Sequence, residues 1–162
     1  MDLIKLFKLQ KTEDNYITKE SDVELKQIVT EKTLALLGTI SELVNETCCE
    51  KYRIEWSACK VESILTKYVK GLQLILSMGI ILGIDKNLSF YNCKITNDKL
   101  TENFVRIYEN TIYFNKEPII INYMELITSY IYLRKVFELG QEETEKAYID
   151  NYLKNNRIKQ IY

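Results

Sequence analysis

The sequence predicts an all-α protein: one domain over residues 1–162, folded as a bundle of five or six helices. Three observations predict it. Apolar residues between Val61 and Ile80 recur at three- and four-residue spacing, the pattern of an amphipathic helix of period 3.6. The 162 residues include only 5 Gly and 1 Pro, too few for the many tight turns of a β-rich fold. Helix punctuation, in the form of a capping box, a proline and a glycine, leaves room for whole helices and no flexible linker. A chain of this length can hide about two thirds of its unfolded surface, so a single core suffices without staples.

Residues 2–17 form the first predicted helix, with Leu3, Leu6, Phe7 and Leu9 set between lysines and glutamine. Ser21 and Glu24 then make an S-x-x-E capping box, whose side chains satisfy orphan backbone N–H groups at a helix start. A long helix is expected from there to about Cys48, with an apolar stripe of Leu25, Ile28, Val29, Leu36, Leu37, Ile40, Leu43 and Val44. In the next helix Val61, Ile64, Leu65, Tyr68, Val69, Leu72, Ile75, Leu76, Gly79 and Ile80 define one core face. From Gly71 onward Leu74, Met78 and Ile81 add a second apolar face, so its C-terminal half should be enclosed by protein. Toward the N-terminal end that second face becomes charged, at Lys67 and Lys70. Residues 84–97 lack periodicity and read as a connection. Helices follow at about 98–114, 119–139 and 142–157, with Asn97 as N-cap, Pro118 as break and Gly140 as C-terminal stop. TIYFN and IIIN alternate as strands do, but their context is helical.

Composition excludes several functions. Lys+Arg 22 against Asp+Glu 23 leaves a formal charge of −1 and no long basic run, so neither nucleic acid nor an anionic membrane is an expected partner. The most lipid-like stretch, GLQLILSMGIILG at 71–83, is shorter than the about 20 residues of a membrane span and reads as a core helix. Cys48, Cys49, Cys59 and Cys93 lack C-x-x-C spacing, and MDLIKLFKLQKTED has no signal-peptide pattern, so a reduced, cytoplasmic protein is expected. With 0 His, a serine triad or a cysteine–histidine pair is missing its base, and no phosphate-binding glycine loop occurs. What remains is chemistry by carboxylates at i, i+3 or i, i+4 on helices, projecting oxygens toward a hard cation such as Mg2+.

LALLGTISELVNET at 34–47, WS at 56–57 and SILTKYVKGLQLILSMGIILGID at 63–85 resemble the dimeric all-α dUTPase family, a branch of the all-α nucleoside triphosphate pyrophosphatases that also contains the MazG-type enzymes. LFKLQKTED resembles that family's first helix. ELGQEETEKAYIDNYLKNN, with Ala147, Tyr148 and Asn155, resembles its last. The similarity touches most of the chain except 86–130. It implies an all-α NTP pyrophosphatase-like fold and a homodimer. It also implies a metal site in which an E-x-x-E pair on one long helix faces an E-x-x-D pair on the next, holding Mg2+ on a triphosphate. Carried over position by position, the first pair falls on Thr39 and Glu42 and the second on Lys67 and Lys70. Only Glu42 survives. The family's histidine after the second pair falls on Gln73, and the lysine and asparagine of its last helix fall on Asn151 and Tyr152. The segment 48–57 is longer than the family's equivalent loop.

Four carboxylates would carry four negative charges, whereas one glutamate and two lysines leave a net single positive charge. At an effective dielectric of about 20, each unit charge at 4 Å is worth about 4 kcal/mol, so a divalent cation is expected to be excluded. No cofactor is therefore expected, and Mg2+ belongs only to the alternative of an active dUTP or dNTP pyrophosphatase. The lysines have three readings: ammonium groups paired with Glu42 in a collapsed site, direct phosphate ligands, or solvated surface charges. Asn45 and Glu46, one turn beyond Glu42, together with Trp56 and Asn155, are the nucleotide-binding candidates, each with a structural alternative as helix face or core anchor. The tyrosines after residue 108 suit packing or a subunit interface. The expected function is a dUTPase-like binding or regulatory protein without magnesium-dependent hydrolysis, with a nucleotide or protein partner. A helical interaction module unrelated to nucleotides stands as a further alternative.

Overall fold

In the computed structural model, which describes residues 1–18, 25–48, 58–84 and 99–159, six helices follow one another. They are α1 (Leu3–Thr18), α2 (Leu25–Cys48), α3 (Ala58–Ile81), α4 (Leu100–Lys116), α5 (Ile120–Val136) and α6 (Gln141–Lys159). No strand occurs among the described residues, and the alternating stretches TIYFN and IIIN lie in or at the start of helices. The capping box, Trp56 and all of the expected connection 84–97 except Ile84 lie outside the described residues.

α3 is the spine of the bundle, packed against α1, α2, α5 and α6, while α4 bridges α2 and α5. The reason is in its sequence. Ile64, Tyr68, Leu72, Ile75 and Leu76 on the first apolar face are fully buried, and Met78 on the second face is buried as well. Val61–Ile81 has the length and hydropathy of a membrane span, but 56% of it is buried inside the molecule.

The α3–α5 contact is built on two glycines. Tyr130 lies over Gly71 and donates its hydroxyl to the Tyr68 carbonyl at 3.0 Å; Tyr123 lies over Gly79 and donates to the Ile75 carbonyl at 3.1 Å. A methyl group at Gly71 would stand 2.0 Å from the Tyr130 oxygen, so only a residue without Cβ admits the ring. Burial pushes both phenols well above their ordinary pKa.

The helix ends depart from expectation in three places. α4 starts after Lys99, which gives no side-chain cap; Asn97 lies outside the described residues. α5 stops at Val136, well short of Gly140, with Glu138 in the left-handed region at φ 57. Gly140 opens α6 instead, its carbonyl accepting from the Thr144 backbone N–H at 3.0 Å and hydroxyl at 2.7 Å. Pro118 does sit in the break between α4 and α5. Leu25, placed on the α2 stripe by its spacing, is 64% exposed, because the first turn of α2 extends past the core.

Candidate functional site

α2 and α3 run against each other along most of their length. Thr33 meets Met78, its hydroxyl directed at Sδ from 3.8 Å, and Glu46 meets Lys67, which fixes an antiparallel register. That register sets Glu42 level with Lys70 and Thr39 level with Gln73. Thr39 is 2% exposed, and its hydroxyl donates to the Ala35 carbonyl of its own helix at 3.0 Å. Glu42 is exposed. Lys67 donates to the Glu46 carboxylate and to Ser63 Oγ, the latter at 2.8 Å, with the two paired side chains about a quarter exposed. Lys70 is exposed and forms no ion pair among the described residues. The expected pairing of a lysine with Glu42 is therefore replaced by Lys67 with Glu46, one helical turn farther along α2. Asn45 is exposed beside Glu46.

Asn155 lies in a different cluster, where α1, α3 and α6 meet. Its amide donates to Glu13 Oε1 at 3.2 Å. Next to it Tyr148 donates to Gln10 Oε1 at 2.6 Å, Gln10 Nε2 to Asp14 Oδ1 at 2.9 Å, and Ser77 to Asp14 Oδ2 at 2.6 Å. Gln10, Glu13 and Asp14 are all buried. Sequence reasoning missed this network, although three polar residues at i, i+3 and i+4 beside Leu6 and Phe7 were a signal for a polar face turned inward. Burial raises the Tyr148 phenol above its ordinary range, and the charges of Glu13 and Asp14 raise it further. One turn before Ser77 on α3, Gln73 Nε2 is buried without a hydrogen-bond partner among the described residues. Asn151 and Tyr152 are half-buried on α6.

Magnesium requires near-octahedral oxygen ligands supplied by carboxylates and water. The facing positions supply an alcohol already bonded to its own backbone, one exposed carboxylate and two ammonium groups. Among the described residues no group of three or more His, Cys, Asp and Glu side chains could hold a metal ion. Among the described residues, the side chains at these positions do not fit the ion.

A family model described as dUTPase matches residues 2–162. No curated protein and no solved structure matches.

Proposed function

The chain belongs to the dUTPase family, and from that membership we propose that it is a non-catalytic binding or regulatory protein built on the family's helical scaffold, without magnesium-dependent hydrolysis of nucleotides. The observation that carries this reading is the Lys67–Glu46 pair, supported by Ser63. It puts a bound ammonium group between the two helices from which metal ligands would have to project. A divalent ion there would have to displace one cation and approach another, Lys70, at a cost of several kcal/mol at an effective dielectric of about 20. Metal-assisted attack of water on phosphorus needs the ion as Lewis acid and as clamp. Purified protein incubated with a panel of dNTPs and Mg2+ is expected to release no pyrophosphate. Robust, protein-dependent release would return the chain to the active pyrophosphatases.

One observation favours a second reading of the same cleft. Lys70 is exposed and without an ion pair among the described residues, one turn from Gln73 and its unpartnered buried amide. A free ammonium is a point-charge ligand for phosphate. Calorimetric titration with dUMP or dUTP in the presence of chelator separates a nucleotide-binding protein from a closed cleft, since only the first produces saturable heat. As for partners, Ile112, Tyr113, Ile119, Ile120 and Ile121 near the α4–α5 turn are exposed, which supports a homodimer. Sedimentation over a concentration series tests it. A reducing cytoplasm remains the proposed compartment.

A further inference from the structure

α6 packs on α1 and α3, and what it lays against them is mostly polar. From Gln141 to Asn155, only Thr144 and Tyr148 are buried among the described side chains. Thr144 turns its hydroxyl to the Gly140 carbonyl at the start of its own helix. Tyr148 is therefore the one large side chain that α6 buries completely. Ala147 adds a small half-buried contact with the core, and Leu153 is exposed. α5 differs, since Tyr123, Leu126, Ile127, Tyr130 and Leu133 are all fully buried along it.

The surface beside α6 has the same polar character. Tyr148 donates to Gln10, Asn155 donates to Glu13, and behind them Ser77 donates to Asp14. In the first turn of α6, Glu145 accepts from the Lys5 ammonium at 2.7 Å and from the Asp2 backbone N–H at 3.3 Å. That contact is open to solvent and stabilises little. Docking by burial is proportional to the apolar area removed from water, whereas the groups α6 covers here include an amide and two carboxylates. They give up hydration when α6 is seated and regain it when α6 leaves, which lowers the cost of opening. The contacts 5–145, 10–148 and 13–155 advance in the same direction along both helices, so one continuous seam joins α6 to α1.

We propose that α6 is a detachable strap, which opens as one unit along this seam while α1–α5 stay folded and which brings Gln10, Glu13 and Asp14 to the surface of α1. The fold then has a second conformation built into it, in which a strip of hydrogen-bonding groups faces water. Helical stability in proteins comes mostly from packing, so α6 loses its helix once it has left the bundle. Its backbone N–H groups then exchange with solvent.

Hydrogen exchange of the full chain under native conditions tests the strap. Amides of residues 147–151 are expected to exchange at least about a hundred-fold faster than those of residues 72–76 in α3, with one shared level of protection along α6. Ile127→Val weakens the five-helix body without touching the seam. It is expected to speed exchange at 72–76 about five-fold and to leave 147–151 unchanged, because the strap opens without unfolding that body. Exchange of α6 at the α3 rate overturns the proposal, as does an equal quickening of both segments in the variant. Protection that falls steadily along α6 toward residue 159 also overturns it, since that gradient marks a fraying end.

Discussion

Lys67 pairs with Glu46, and the strength of that pair depends on how wet it is. Exposed ion pairs contribute about 0–1 kcal/mol, and removing one partner of a buried pair costs about 3–5 kcal/mol. Side chains 25% and 24% exposed fall between these limits. Lys67→Ala is expected to destabilise the protein by roughly 1–2 kcal/mol in urea unfolding, and Lys70→Ala by less than about 0.5 kcal/mol, since it has no pair to lose. Equal effects would contradict the assignment. The four buried phenols Tyr68, Tyr123, Tyr130 and Tyr148 make a second prediction, because burial raises each one in the folded state. The stability linked to their protonation is fully present below the ordinary phenol value of about 10 and is lost as pH climbs from there toward the folded-state values. Phenolate absorbance from these residues should therefore appear together with loss of helical circular dichroism. Titration of all 12 tyrosines near pH 10 with the helices intact would contradict it.

At the scale of elements, α3 and α5 are held in register by tyrosine rings seated on glycines. Gly71→Ala places a methyl group 2.0 Å from Tyr130 Oη and is expected to cost about 2–3 kcal/mol. In a Tyr130→Phe background the cost should shrink, since the nearest atom is gone; an undiminished cost would point to a different clash. At the end of α5, Glu138 holds φ 57, a conformation that costs an L-residue about 1 kcal/mol. Glu138→Gly is expected to raise the urea midpoint slightly, and a fall would show that the Glu138 side chain contributes more than its strain costs. The bodies of these helices were legible from period alone, as the buried face of Ile64, Leu72 and Ile75 illustrates. Their ends were not. Gly140 suited a C-terminal stop equally well, but the Arg134 side chain and the Leu139 N–H close α5 before it, an arrangement that exists only after the chain has turned.

For the whole molecule, the family and its helical order were readable from residue identities, and the changed polarity of its metal positions is part of the proposal. The partner of Lys67 was not readable. Periodicity specifies which face of α2 looks at α3, but not the level at which they meet, and a slip of one turn exchanges Glu42 for Glu46. The Gln10–Asp14–Ser77–Tyr148 network was hidden for a similar reason: spacing brings Gln10 and Asp14 together within α1, whereas Ser77 and Tyr148 arrive only through packing. Restoring the acids should reverse the site. Thr39→Glu, Lys67→Glu and Lys70→Asp together put four carboxylates, with Glu42, along the facing turns, and this variant is expected to be less stable than the parent without Mg2+ and to regain stability with it. The most direct measurement is calorimetric titration of Mg2+ into the parent protein and into that triple variant under identical conditions. No saturable binding to the parent up to millimolar Mg2+, with binding to the variant, is the expected result; micromolar binding to the parent would contradict the loss of the metal site.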